Sequence, residues 1–468
     1  MTDRETALDE LLAAVRAYID LDPGEETFII CALATAVSKA LVDEEPLWLF
    51  LIGAAGAGKS EAIRLLDLTA DRGVDELTRA GLLSWSTGSG KKAKRSGLLT
   101  RIPRTALVTI SDFSTVATMG DREARARMYG MLRVVYDGHV YRGIGGQASS
   151  EGDELEWSGH LTLVAGATPA IDAHTSVEAA LGERWLTIRL AESSSERARR
   201  RAWFVIDRAS VPPLRKRAQE LARDLILEAR ERIPRRLDKT HEYTLVDAAT
   251  LVATARTGVQ FEGQGKGRVP VGIPTPEEPT RITGQLHRLA RCTVALGVQE
   301  PIAAALAVRA GLDSVPLARM RALQSVAAAG DDGATVSDVH RGLRRGSRWA
   351  AIWELDALDA IGLLDIDGPP RDEDPDEPRR YKLNAEWQRV YISVACSPTL
   401  PSFLEERAEE SLGSALRIDT PPRNAVERLL GYRAGITSGN GSSARSESTG
   451  ESSAESLETP RARKVPSP

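Results

Sequence analysis

Residues 53–60 read Gly53-Ala54-Ala55-Gly56-Ala57-Gly58-Lys59-Ser60 and satisfy G-x-x-x-x-G-K-[ST] at every fixed position. Residue types in that pattern suit a phosphate ester. Glycines let successive backbone N–H groups turn inward around a β-phosphate, and a following helix adds partial positive charge. Lys59 is spaced to reach β- and γ-phosphate oxygens, and Ser60 to ligate Mg²⁺. Glu61 adjoins the loop and completes the candidate set. The context fits: an apolar run, Trp48–Ile52, precedes the loop and an amphipathic stretch, Glu61–Leu66, follows it.

Phosphoryl chemistry also needs a carboxylate at the end of a neighbouring strand, to hold Mg²⁺ and to polarise the attacking water. The run ALVTISDFS supplies Asp112 just past an apolar strand. The usual pattern is two tandem acids. Here the pair is Ser111-Asp112, so Asp112 takes either the metal-side or the water-activating role. Glu61 and Asp137 are the reserve acids. The plainer alternative for Asp112 is a cap on a strand-end turn.

These groups must be positioned by a fold. Strand-like runs recur at Trp48–Ile52, Ala106–Ile110, His160–Gly166 and Trp185–Leu190, with helical stretches between them such as Glu61–Leu68 and Arg122–Val135. That alternation predicts an α/β fold with a parallel sheet covered on both faces. Residues 1–44 read as an N-terminal helical segment, 45–195 as the sheet-bearing core and 196–315 as a helical lid region interrupted by a Gly/Pro-rich loop at Phe261–Pro279. Residues 316–395 predict three helices and a hairpin with a charged tip, a winged-helix layout. A helical extension, 396–436, and a Ser-rich tail, 437–468, follow; the tail has no aromatic residue and is expected to be disordered.

Composition narrows the class. The chain has 468 residues, 42% hydrophobic and 27% charged, with net charge −5. That excludes a histone-like global basic binder, so any nucleic-acid contact must come from local patches. Cys31, Cys292 and Cys396 lack CxxC spacing and read as free thiols. The acidic N-terminus carries no apolar signal region, and the longest apolar stretch, 46–58, is too short to span a membrane. The expectation is a cytoplasmic protein with no membrane contact.

In order along the chain, the motifs resemble the AAA+ helicases of the minichromosome-maintenance group. Ile110-Ser111-Asp112-Phe113 is similar to that family's Ile-Asp-Glu-Phe. The stretch 136–160 after the next helix is similar to its pore hairpin. HLTLVAGATP resembles its sensor-1 strand, with Thr168 at a position where the family carries Asn. LGERWLTIRL resembles its arginine-finger segment, which makes Arg184 the finger. PTRITGQLHRLARCTVALG, 279–297, resembles its sensor-2 helix, with Arg281 at the sensor position and Arg288 seven residues on. The likeness covers about residues 40–310, and loosely the winged helix. The series also looks like that of uncharacterised ATPases from phages and mobile elements.

The resemblance implies a P-loop AAA+ core that hydrolyses ATP with Mg²⁺. It also implies a homo-oligomeric ring, hexameric by preference, moving on single-stranded DNA as a helicase or translocase. Lys59, Asp112, Thr168, Arg184 and Arg281 become the catalytic set, with Lys59 acting from the loop, Arg281 from the lid and Arg184 from the next subunit. Cations around a transferring phosphoryl group lower its barrier.

Local features offer DNA contacts: Lys91, Lys92, Lys94 and Arg95 in a glycine-punctuated loop, and Tyr141 and Arg142 beside His139 in the hairpin. Arg344, Arg345 and Arg348 flank the presumed recognition helix, but Glu354, Asp356 and Asp359 on that helix would repel phosphate and favour a protein partner. Arg197, Arg199, Arg200 and Arg201 read as a solvated helix or a subunit-interface face. The alternatives to a motor are an ATP-switched assembly protein, such as a helicase loader or a mobile-element or defence regulator, and a remodeller of protein partners.

Overall fold

The computed structural model describes residues 3–21, 23–86, 94–117, 119–142, 155–174, 184–190, 194–207, 210–263, 268–272, 275–368 and 379–395. In chain order, two helices, α1 (Asp3–Arg16) and α2 (Pro23–Val37), lead into β1 (Trp48–Ile52), α3 (Lys59–Arg64), β2 (Arg72–Val74) and α4 (Arg79–Leu82). A hairpin, β3 (Ser84–Ser86) with β4 (Lys94–Ser96), precedes β5 (Thr105–Ile110), α5 (Ser114–Ala117) and α6 (Arg122–Tyr136). A second hairpin, β6 (His139–Arg142) with β7 (Leu155–Ser158), leads to β8 (His160–Ala167) and β9 (Leu186–Arg189).

Five of these strands form one parallel sheet in the order β2-β5-β8-β1-β9. The chain is therefore α/β, as the alternation of runs predicts. Every residue of β1 is buried, and so are Ala106–Ile110 of β5 and Leu161–Ala167 of β8. Continuous burial is what a parallel sheet covered on both faces demands of its strands. The two-residue period of a strand sorts β1 between two cores. Leu49 and Leu51 join the core built with α1 and α2, whereas Trp48, Phe50 and Ile52 join an aromatic core under α6. In the aromatic core Phe50 stacks on Trp185 at 3.9 Å and meets Phe113 at 4.9 Å. Asp121 caps α6 by accepting from the N–H groups of Glu123 and Ala124.

The sheet's two edges are closed differently. At one edge β2 has only three residues. At the other, side chains satisfy β9. Ser314 Oγ accepts from Thr187 N at 2.9 Å, and Asp313 Oδ2 from Arg189 N at 2.8 Å. Arg309 donates to Arg189 O at 2.8 Å.

Helices follow: α7 (Ser195–Asp207), α8 (Val211–Arg230) and α9 (Lys239–Ala255), a short ladder of β10 (Phe261–Glu262) with β11 (Val269–Pro270), then α10 (Thr280–Ala295) and α11 (Glu300–Asp313). Three further helices, α12 (Leu317–Ala329), α13 (Val336–Gly342) and α14 (Arg348–Ala360), precede an antiparallel hairpin, β12 (Leu364–Asp367) with β13 (Arg380–Leu383), and α15 (Ala385–Ala395). Thr335 and Asp338 close α13 with a reciprocal capping box.

Three elements depart from the expectations. The edge strand β2 has no apolar run to announce it. The basic stretch expected as a loop at 87–97 connects and partly forms hairpin β3–β4. The expected loop at Phe261–Pro279 contains the β10–β11 ladder. The extension and tail, 396–468, lie outside the described residues. Among the described residues no single helix is long and apolar enough to cross a membrane.

Candidate functional site

Register puts four loops on one edge of the sheet. Ile52 lies opposite Ala167 and Arg189, and Ile110 lies opposite Ala165 and Val74. The segments that leave β1, β5, β8 and β9 thus emerge together beyond the carboxyl ends of parallel strands, where open α/β sheets hold their ligands. Gly53 N donates to Ala167 O at 3.2 Å, which ties the start of the glycine loop to β8. Gly56 and Gly58 have φ of +76° and +90°, a region in which a side chain is strained. At neither position would a Cβ meet an atom within 4 Å, so conformation and not crowding requires glycine there.

Lys59 Nζ folds back over the loop and donates to Gly53 O at 2.6 Å and Ala54 O at 2.7 Å. Burial pushes its pKa down, and the negative charge of Asp112 works against that shift. Asp112 is therefore within Coulombic reach of the lysine. Strand spacing agrees. β5 lies two strands from β1, roughly 10 Å at about 4.8 Å per strand. Ser60 and Asp112 are both exposed. Asp112 Oδ1 accepts from Ser114 N at 2.8 Å, so the turn-cap role is present and one carboxylate oxygen is used in it.

Thr168 joins this edge through Ser114. Its N–H donates to Ser114 Oγ at 2.8 Å, and the two hydroxyls stand 3.1 Å apart. Phe113 N donates to Gly166 O at 2.7 Å and locks the Asp112 turn onto β8. A Cβ on Gly166 would sit 2.7 Å from Ser111 O, so only glycine allows this approach.

Sequence reasoning missed two residues here. Ser114 is the buried link between Asp112 and Thr168. Asp75, at the end of β2, accepts from Ser111 Oγ at 3.0 Å. It supplies a second carboxylate, but on a strand three removed from β1, roughly 14 Å away. Its partner is Ser111, not the loop. The available signal was an acid just past a strand, Asp75 after β2 as Asp112 is after β5, hidden because β2 is Arg-Gly-Val.

Glu61 is committed elsewhere. Both its oxygens accept from Arg215 of α8 at 2.8 Å, and Oε1 also from Arg64 at 2.5 Å. A mainly apolar cavity of ≈ 160 Å³ adjoins Gly56–Gly58, walled by Ile19, Phe28, Leu190 and Phe204. Its roof, α7, is held by ion pairs: Arg197 and Arg201 to Glu25, and Arg200 to Asp20 at 2.9 Å. Three of the four arginines of that run are thus spent within the chain.

Arg184 and Arg281 gather elsewhere. Arg184 precedes β9 and is level with Leu47 in the register. That is six residues, or about 20 Å, back along the sheet from Gly53. Its guanidinium lies 5.6 Å from the Tyr136 ring centre and 3.4 Å from Asp137. The reserve acid Asp137 therefore sits at the amino-terminal end of the sheet, away from the loop. Arg281 pairs with Glu277, which also takes Arg256 at 2.7 Å. One turn along α10 from Arg281, the fully buried Gln285 donates to Arg184 O at 2.7 Å and to Tyr136 Oη at 3.2 Å. Arg281 shares α10 with Gln285, which joins that helix to Arg184.

Tyr141 is 60% exposed on β6. The backbone of Arg142 belongs to β6 and those of Lys94 and Arg95 to β4, while Lys91 and Lys92 lie outside the described residues. Glu354 pairs with Arg319 at 3.3 Å, which offsets part of the acidity expected of α14. Among the described residues no group of three or more His, Cys, Asp or Glu forms a metal cage. Mg²⁺ does not need one: it is ordinarily held by one or two protein groups, substrate phosphates and water, and Ser60 with Asp112 fits that donor set.

No protein-family model matches this chain, and no curated protein matches it.

Proposed function

We propose that the chain is an AAA+ ATPase that hydrolyses ATP between subunits and acts as a ring-forming motor on DNA, single-stranded by preference. It would be a helicase or translocase like those of the minichromosome-maintenance group. One observation carries the reading: residues 53–60, Asp112 and Thr168 meet at the carboxyl edge of one parallel sheet, with Lys59 within reach of the Asp112 charge.

In this reading residues 53–60 are the P-loop, and their N–H groups cradle the β-phosphate. Lys59 exchanges the carbonyls of Gly53 and Ala54 for phosphate oxygens. Ser60 and Asp112 hold Mg²⁺, which when bound neutralises charge developing on the γ-phosphoryl group. Thr168, fixed by Ser114, orients water. Arg184, about 20 Å from its own loop along the sheet, serves the nucleotide of a neighbouring subunit, and Arg281 acts from the lid. A head-to-tail contact of that kind generates a ring when it closes, a hexamer by preference. Hairpin β6–β7 brings Tyr141 to the strand, and Arg142, Lys91, Lys92, Lys94 and Arg95 are the basic residues that would meet its phosphates. The unit α12–β13 serves as a winged helix that takes a protein partner.

A second reading is favoured by Ser111, which stands where a second acid is usual and is hydrogen-bonded to Asp75. An ATP-switched assembly protein, such as a loader or a mobile-element or defence regulator, needs binding more than turnover.

ATPase rates with and without single- and double-stranded DNA, together with native mass with ATP, separate the readings. A motor is stimulated several-fold by DNA, and Lys59→Ala abolishes both basal and stimulated rates. A switch hydrolyses slowly and assembles with ATP. A protein remodeller ignores DNA. A chain that binds no ATP, with Lys59→Ala unchanged from wild type, overturns all three.

A further inference from the structure

A second cavity, of ≈ 210 Å³, lies apart from the glycine loop, between the residues that follow α9 and the first turns of α12 and α14. At about 10–15 Å³ of such space per water, it holds on the order of fifteen water-sized groups. That is the bulk of a sugar phosphate and not of a bare ion.

Three arginines line this cavity, Arg256, Arg268 and Arg319, with two acids, Asp172 and Glu354. The acids are already matched. Both oxygens of Asp172 accept from Arg189 at 2.7 Å, and Glu354 pairs with Arg319 at 3.3 Å. On the Arg256 side one carboxylate, Glu277, serves both Arg256 and Arg281. Arg268 differs: among the described residues no carboxylate pairs with it. Its guanidinium lies 4.7 Å from the ring centres of both Phe261 and Trp353. Aromatic rings hold a guanidinium by its faces and leave its N–H edge for acceptors. That edge is a fork matched to the oxygens of a phosphate.

Two further features suit the same ligand. Helix α12 starts at the cavity with Leu317 and Ala318, and its N-cap position is Pro316, which supplies no side-chain cap. The first-turn N–H groups therefore add partial positive charge beside the arginines. Val259 and Ala350 give the wall an apolar part for a carbon skeleton.

We propose that this cavity binds a small phosphate monoester, with Arg268 as the residue that forks two of its phosphate oxygens. The ester carries about −1.5 to −2 charges at pH 7, which suits a wall with more cations than free acids. The walls come from the turn Pro169–His174 that follows Thr168, from the stretch between Arg256 and Arg268, and from the unit that begins with α12. A bound ester braces these three parts and stabilises the fold by mass action. The inference goes beyond the ATPase reading and does not rest on it.

Calorimetric titration of the full chain with ribose 5-phosphate, inorganic phosphate and ribose tests it, alongside thermal melts. We expect ribose 5-phosphate to bind once per chain and raise Tm, phosphate to bind more weakly and ribose not at all. Lys59→Ala should bind the ester like wild type, because the glycine loop is a different place. Arg268→Ala and Ala318→Glu should each weaken it by roughly 10- to 100-fold, the worth of hydrogen bonds to a charged group, with circular dichroism unchanged. Ala318 is exposed, and an acid there removes no contact, so Ala318→Glu decides the matter if Arg268→Ala misfolds. A wild type that binds neither phosphate compound overturns the inference. So does binding unchanged in Ala318→Glu, or binding lost in Lys59→Ala, which puts the ester in the glycine loop. Phosphate or ribose binding as tightly as the ester overturns it too. Failure of the wild type to bind ATP would sink the ATPase reading and leave this site standing.

Discussion

The side-chain amide of Gln285 donates to the carbonyl oxygen of Arg184 at 2.7 Å across 101 residues of sequence. It also donates to the hydroxyl of Tyr136, whose ring underlies the Arg184 guanidinium. One buried amide therefore fixes the finger candidate to the helix whose first turn carries Arg281.

Gln285→Leu should lower kcat by about 10- to 100-fold, since a misplacement of about 1 Å at a reacting centre costs up to about 10²-fold. KM for ATP should not change, because the glycine loop is untouched. The effect should be non-additive with that of Arg184→Ala in a double-mutant cycle. A lowered Tm with kcat intact would mark Gln285 as packing only.

The two strand-end acids should separate cleanly. Asp112→Asn should reduce ATP turnover by about 10²-fold or more, the usual worth of a positioned acid–base group. Asp75→Asn should stay within about threefold of wild type, because it meets Ser111 and stands about 14 Å from β1. Steady-state ATPase assays decide it, and equal losses in the two variants would reassign the second acid to Asp75.

Much of this edge was legible in the sequence, for a physical reason. Strands buried on both faces must be written mostly in apolar residues, so β1, β5, β8 and β9 announce themselves despite Thr109, Thr162 and Thr187 within them. The glycines at 56 and 58 did so too, because positive φ leaves little choice of residue. Legibility fails where a residue's role depends on distant chain. β2 is three residues at a sheet edge, with one flank open, and carries no pattern. Gln285 looks like a solvated helix position and is fully buried, because its partners arrive from β9 and α6. Arg281 reads as a lid residue in the sequence, and nothing there shows that its helix is joined to Arg184 through Gln285.

Acid should destabilise the chain through two histidines. Burial, with Arg288 nearby, pushes the His160 pKa down. Burial and then Arg291 do the same for His287 against its pairing with Glu242. Both are held neutral in the fold, so the unfolded chain binds more protons once pH falls below its value of about 6.5. Stability from these groups is present above that pH and is lost as pH falls from there toward the depressed folded values. Thermal melts from pH 7.5 to 5 should show it. In His160→Gln/His287→Gln the loss should shrink by about 1.4 kcal/mol per unit of summed pKa depression.

Burial pushes the thiols of Cys31 and Cys292 up to about 12. Neither should react with a thiol reagent at pH 8 in the native chain, and both should react in denaturant, as read by peptide mapping.

The side-chain closure of β9 limits how copies can join. Ser314, Asp313 and Arg309 occupy the hydrogen-bonding positions that another strand would use. The sheet offers no free ladder on that side, and only a three-residue stub on the other. Growth by β-continuation, the open-ended route to fibres, is blocked at β9. Copies that associate must do so through side-chain surfaces, whose geometry can close on itself and stop at a fixed number.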